Sequence, residues 1–223
     1  MHPAKPTLPP MRNPSLKQFF EFLSQHSTPH AFNPWLQHDP TTDADPNAPA
    51  QRLARLRTHL EGNPRWILIG EAPGYQGCKV SGIPFTSERL LSEGTIPRID
   101  LKGQRLSIRT RPWSEPSATI VWGTLRELGI ADRTILWNAY PWHPHKPGNL
   151  HSNRTPTPAE RESGRPVLLA LLKAFPNAYL FALGRQSEHT LAALGISATP
   201  LRHPAMGGAT KFRAGLRRAL SKR

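Results

Sequence analysis

The centre of the chain repeats one unit: an apolar run of strand length, a Gly, Pro or Asn at its end, and then a stretch that suits a helix. The runs lie at 66–69, 134–137, 178–183 and, more weakly, 197–201, and helices are predicted at about 86–92, 117–128, 158–174, 186–194 and 208–220. Strands that alternate with helices are joined by crossovers rather than hairpins, so they lie parallel and are covered on both faces. The expected fold is therefore α/β, a three-layer α/β/α sandwich around a central four-stranded, mainly parallel sheet. No internal repeat is found.

Ahead of this unit, residues 1–14 and 38–50 are rich in Pro, Asp, Thr and Asn and are expected as extended arms that wrap the surface or move freely. Between them, residues 15–25 (SLKQFFEFLSQ) predict a short capped amphipathic helix, and Leu53, Leu56 and Leu60 carry a second helix over about 49–61. The division that follows is a proline-rich N-terminal arm over 1–50 and a main domain over 51–223.

With 223 residues the chain can bury one sizeable core but not two large ones. Lys and Arg outnumber Asp and Glu by 29 to 15, and the resulting net charge of +14 attracts polyanions, which makes nucleic acid the expected partner. No long basic amphipathic helix points to a membrane surface, and no apolar run reaches the roughly 20 residues that span a bilayer. Cys78 is the only cysteine, so no internal disulfide and no cluster held by several thiolates of this chain can form. A reducing cytoplasm, or a nucleoid in a prokaryote, is the expected setting, with no cofactor, no obligate protein partner and a monomeric state.

In parallel α/β sheets ligands bind beyond the carboxyl ends of the strands, so the chemistry is expected there. The first run is followed by Gly70-Glu71-Ala72-Pro73-Gly74 and then by Pro84-Phe85-Thr86-Ser87. Glycines let a backbone approach a ligand closely, although a tight turn with a solvated Glu71 accounts for the same letters. The second run ends on Asn138, which can read a base edge or simply bond nearby backbone. Further on, Arg154-Thr155-Pro156-Thr157-Pro158 lets Thr157 cap a helix that starts at Pro158. The fourth run is followed by Arg202-His203-Pro204-Ala205-Met206. Together these put a carboxylate, an aromatic ring, an amide and an imidazole at the ends of strands in one sheet.

In this combination the chain resembles the uracil-DNA glycosylase superfamily over about residues 65–220. The ordered motifs are GEAPG, Pro84-Phe85, Asn138, Arg154 to Pro158, Leu183-Gly184 and His203-Pro204-Ala205, and they are closest to the branch that carries GEAPG and HPA. The resemblance implies a monofunctional enzyme of base-excision repair that flips uracil out of DNA and hydrolyses its N-glycosidic bond. It implies Phe85 as the stacking ring, and Asn138 as the amide that reads the pyrimidine edge. Gly70, Ala72 and Gly74 are implied as pocket backbone. His203 is the implied donor to the leaving base, and Glu71 the group that stabilises the sugar cation or orients water. Met206 is the implied wedge in the DNA, and Ser87, Arg154, Arg185 and Arg202 the implied phosphate contacts. Residues 98–111, with Arg98, Lys102, Arg105, Arg109 and Arg111, are expected as a basic loop against the DNA backbone.

The chain departs from that branch at one point and from other branches of the superfamily at two. The branch usually holds an iron-sulfur cluster on four cysteines, and here the stretch 140–149 has Trp142, His143, His145 and Lys146 instead. Paired histidines invite a metal reading, but no Cys or acidic residue stands beside them, so packing or DNA contact is expected. Ala72 stands where other branches have Asp or Asn, and Gly74 where strict uracil enzymes have a bulky Tyr, with Tyr75 shifted by one. Two alternatives stay open: a glycosylase for 5-modified or hypermodified, phage-type pyrimidines, and a protein that binds damaged or single-stranded DNA without cutting it.

Overall fold

Runs such as Trp66-Ile-Leu-Ile have no polar face, so they are stable only where both faces of a sheet are covered. The computed structural model describes residues 13–25 and 30–222, and the expected arm at 1–12 lies outside the described residues. In chain order the elements are α1 (Pro14–Gln25), β1 (Ala31–Phe32), α2 (Ala48–Leu60), β2 (Trp66–Gly70), α3 (Cys78–Ser81), α4 (Glu88–Ser92), α5 (Pro116–Glu127), β3 (Thr134–Asn138), β4 (His143–Pro144), α6 (Pro158–Ala174), β5 (Tyr179–Leu183), α7 (Arg185–Ala193), β6 (Thr199–Leu201) and α8 (Ala209–Leu220). The main sheet has the order β3-β2-β5-β6, and all its pairings are parallel.

Side chains alternate across each strand, and this splits the core in two. Ile67, Ile69, Ile135 and Trp137 face α1, α2 and α6, whereas Trp66, Leu68, Leu136 and Phe181 face α4, α5 and α8. Sheet and helices form the expected three layers. Among the described residues no helix is long and apolar enough to cross a membrane.

The ends of the helices show how locally the sequence acts. Asn13 Oδ1 accepts hydrogen bonds from the backbone N–H of Ser15 and Leu16 and so caps α1. Thr157 and Glu160 form a reciprocal capping box at the start of α6. At the sheet edge, Leu136 of β3 donates its N–H to His59 Nε2, which protects the edge strand from pairing with another chain. Burial, joined by the nearby Arg98 charge, lowers the pKa of His59 to about 3, so the ring stays neutral and able to accept.

Residues 38–50 are not a free arm. They form turns and the start of α2, with Asp39 and Asp43 buried. Asp43 pairs with Arg52 at 2.6 Å and Asp39 with Lys79 at 2.5 Å, contacts that bring together residues up to forty positions apart. Burial alone would raise the Asp39 pKa, but hydrogen bonds from Lys79, Thr41 and Thr42 and the Lys79 charge hold it well below the usual carboxylate range. A two-stranded antiparallel sheet, β1 with β4, was also not expected. Its strands are two residues long, too short to leave a periodic signal.

Candidate active site

The connection leaving β2 runs to β3 through α5 on one face of the sheet, and the connection leaving β5 runs to β6 through α7 on the other. The strand ends between them therefore open into a crevice, the usual ligand position in such sheets. A cavity of about 1050 Å³ lies there, with Glu71, Phe85, Gly184 and His203 on its wall. Backbone bonds fix its floor: Ala139 and Tyr140 donate to the carbonyls of Gly70 and Glu71 at 2.8 and 2.9 Å. The Ser187 hydroxyl of α7 bonds the Ile69 carbonyl and ties the β5–α7 junction to β2.

His203 is held by its own loop. Its Nδ1 accepts the backbone N–H of Ala205 at 3.1 Å, which leaves Nε2–H as the donor of the neutral ring. Burial, and then the Arg202 charge, lower its pKa, which favours that neutral form. Gly184, at φ +95°, makes the approach possible, because a Cβ there would come within 3.3 Å of the His203 Cβ. The rings of His203 and Phe85 lie 5.9 Å apart and are tilted by 45°.

Phe85 and Met206 have φ of +50° and +52°, which is rare for residues with a side chain. Such backbone costs about 1–3 kcal/mol and is concentrated at functional sites. The turn at Phe85 directs its ring onto Gly70, and Met206 stands 93% exposed at the tip of the His203 loop.

Asn138 ends β3 and is buried, and its Oδ1 has no hydrogen-bond partner. It is not on the cavity wall; its Oδ1 and the ring edge of Phe85 meet over the Gly70 Cα. Glu71 lines the cavity with Oε1 unpartnered. Burial raises its pKa, against a hydrogen bond from the Thr155 hydroxyl and the charge of Arg161. Ala72 and Gly74 also line the wall, with Arg185 and Arg202 exposed on the rim. Tyr75 does not enter the cavity; its ring packs edge-on against Trp113 at 5.8 Å.

Several expected DNA contacts need correction. Arg154 is committed to Glu160 through bonds of 2.5 and 2.7 Å, and also bonds the carbonyls of His145 and His30, so it holds the loop before α6 and presents no free charge. The Arg154 hydrogen bond in turn lowers the Glu160 pKa to about 2. Ser87 is fully buried, so its hydroxyl does not face a surface where a phosphate could lie. Arg98 bonds the carbonyls of Asp132, His59 and Thr134, at the end of the sheet opposite the cavity. Arg105 turns inward to Glu88 and to the carbonyls of Arg109 and Thr110. Of the five basic side chains in the stretch, only Lys102, Arg109 and Arg111 are exposed.

Sequence reasoning missed the reason this stretch is ordered. The buried Glu88 carboxylate accepts the backbone N–H groups of Leu106, Ser107 and Trp113 and the Ser107 hydroxyl. It also missed Glu115, whose carboxylate lines the cavity against Gly77 and is bonded by the Ser117 hydroxyl. Burial raises the Glu115 pKa, against that hydrogen bond. Glu88 closes the run that begins at Ser81 and Glu115 sits in no motif, and in neither case does a local signal mark the partners it meets. The His143 ring lies between the Pro73 and Leu150 carbonyls, 2.8 Å and 3.1 Å from its two nitrogens, and the single N–H of the neutral ring donates to one of them, propping the loop after β2 from behind. Among the described residues no group of three His, Cys, Asp or Glu is arranged to hold a metal.

A family model for the uracil DNA glycosylase superfamily matches residues 58–220, which is most of the chain and includes every strand of the main sheet. The chain belongs to the uracil-DNA glycosylase superfamily. Among solved structures, wild-type Pedobacter heparinus SMUG2 is similar with a TM-score of 0.62 and 16% sequence identity, over 93% of this chain and 97% of that one. At that identity the likeness shows a shared uracil-DNA glycosylase-like fold. No curated protein matches the chain significantly.

Proposed function

We propose that this member of the superfamily is a monofunctional DNA glycosylase that hydrolyses the N-glycosidic bond of a flipped uracil or a related pyrimidine, acts as a monomer, and leaves an abasic site for base-excision repair. The observation that carries the reading is the convergence of Glu71, Phe85 and His203 on one cavity, with Asn138 against the Phe85 ring. The cavity, at about 1050 Å³, has room for a flipped nucleotide.

The chemistry follows from these groups. A pyrimidine stacked on Phe85 has its edge within reach of Asn138, whose Oδ1 accepts from N3–H and whose amide N–H donates to O4. As the C1′–N1 bond breaks, its electron pair leaves on the base, and the negative charge that grows on O2 takes the His203 Nε2–H as hydrogen-bond donor. The cation developing at C1′ is stabilised by the Glu71 carboxylate. A water oxygen then bonds C1′ and loses a proton to Glu71, and the pyrimidine anion takes a proton from solvent. Arg109, Arg111, Arg185 and Arg202 are assigned to the DNA backbone, and Met206 to the gap left by the base.

Gly74 favours a second reading, that a 5-modified pyrimidine is the natural target. A Cβ at residue 74 would meet nothing nearer than the Asn153 amide at 3.8 Å, so space remains where a bulky residue would exclude 5-substituents. The test is base release from single- and double-stranded oligonucleotides bearing uracil, a 5-substituted uracil or a hypermodified pyrimidine, with alkali to reveal abasic sites. Release from at least one is expected, with a loss of about 10²–10³-fold in His203→Ala. No release from any substrate would overturn the reading and leave a DNA-binding role without catalysis.

A further inference from the structure

Beside the cavity a second cluster takes no part in breaking the glycosidic bond, although its Arg109 is among the arginines assigned to the DNA backbone. The Arg109 guanidinium lies 4.0 Å from the Trp113 ring centroid, the His151 ring is 5.4 Å from Trp113, and the Tyr75 ring lies 5.8 Å from Trp113 and 6.1 Å from His151. Arg109 and His151 are exposed, and the indole beneath them keeps 7% exposure. Among the described residues Arg109 has no carboxylate partner, so the flat cation is held by the ring alone.

The cluster is joined to the cavity at two points, through Tyr75 and through Trp113. Tyr75 follows Gly74 on the cavity wall and donates its N–H to Asn153 Oδ1 at 3.1 Å, and Asn153 is itself on that wall. Trp113 lies two residues before Glu115, also on the wall, and its N–H is fixed by buried Glu88. His151 is anchored from below by a 3.1 Å hydrogen bond between Nε2 and the Thr42 hydroxyl. Burial and the charges of Lys79 and Arg109 lower the His151 pKa, so the ring offers a neutral flat face. Clustered aromatic rings, tilted or edge-on to one another, under an unpaired guanidinium on a chain of net charge +14 match the planar base and the adjacent phosphate of a nucleic acid strand.

We infer that Tyr75, Trp113, His151 and Arg109 form a second nucleotide subsite, which stacks an unpaired base neighbouring the flipped nucleotide on the same DNA strand. The inference rests on the proposed action on DNA and adds a preference for strands whose neighbouring base is free to unstack. The base lies on the outer face of the guanidinium and against His151, and its phosphate faces the Arg109 charge.

The test uses the full chain and single-stranded uracil oligonucleotides in which each base flanking the uracil is replaced in turn by an abasic spacer. For the unmodified protein, one spacer position is expected to raise KM about tenfold, and in the double variant Arg109→Ala/His151→Ala the same spacer should change KM less than about twofold. Arg109→Lys keeps the charge but not the flat face, so it should behave like the double variant while keeping the salt dependence of the unmodified protein. Equal spacer effects in all three proteins, or none at any position, would overturn the inference. A second readout does not depend on base release: 2-aminopurine placed in a plain single strand should be quenched on binding by the unmodified protein and not by the double variant. If no pyrimidine is released but this quenching holds, the proposed function fails and the subsite stands. If release occurs and both readouts stay flat, the subsite fails, as it would if the cluster received a protein partner instead.

Discussion

The ring of Phe85 lies directly on the Cα of Gly70, and its outer edge fills the space that a side chain at residue 70 would need. Gly70 is paired to Asn138 at the end of the sheet, so the strand cannot yield and the ring would have to move. Gly70→Ala is expected to lower kcat/KM for uracil release by about 10²-fold through misplacement of the ring, with an overpacking cost of about 1–3 kcal/mol. Single-turnover kinetics alongside urea melts check both, and unmodified activity with unmodified stability would contradict the contact.

The acid side of the pH profile should belong to the site. Glu71, raised by burial, works as its anion, and His203, lowered by burial and Arg202, works as the neutral ring. Both requirements are lost as pH falls, so kcat/KM should decline on the acid side, with the Glu71 limb displaced upward from the ordinary carboxylate range and the His203 limb displaced downward from the ordinary imidazole range. In Glu71→Gln the remaining decline should follow His203 alone. A profile that stays level down to pH 4.5 would remove Glu71 as a required anion.

Gly74 should set the tolerance for 5-substituents. Gly74→Tyr is expected to cut release of a 5-substituted uracil by about 10-fold or more while uracil itself changes only a few-fold, since filling a pocket rejects extra groups by about 1–3 kcal/mol. Competition between the two substrates in one reaction measures the ratio directly. An unchanged ratio would show that the pocket is limited elsewhere.

His59 should make the fold sensitive to acid. Its pKa is about 3 in the folded protein and near the ordinary 6.5 when unfolded, so between those values the unfolded chain binds a proton that the folded one refuses. Stability from this group is present above pH 6.5 and falls with pH by up to about 1.4 kcal/mol per unit. In His59→Gln, where an amide oxygen can still accept from Leu136, urea melts between pH 7 and 4 should show a shallower decline. An identical slope in both proteins would refute the assignment.

β2 and β3 were legible because each is a continuous apolar run buried on both faces, and the start of α6 because its cap lies within four residues of sequence. The residues at the strand ends were legible for the same reason: once the runs are known to be parallel, Gly70, Asn138 and the His203 loop must emerge at one end of the sheet. The roles of the arginines were not. Arg154 reads as a free cation until Glu160 and two backbone carbonyls surround it, and Arg98 reads as part of a DNA-facing loop until it is seen against carbonyls at the far end of the sheet.

The amino-acid sequence by itself therefore determined the layers, the parallel sheet and the membership of the strand-end set, because periodicity, caps and turn residues act between near neighbours. Only the tertiary structure decided which charges are spent and which are free. It buried Glu88 under the basic stretch, paired Asp39 with Lys79, and left Arg109 alone on Trp113 beside the cavity. A charged group's energy depends on the water it loses and the partner it meets, and both are supplied by residues far away in the chain.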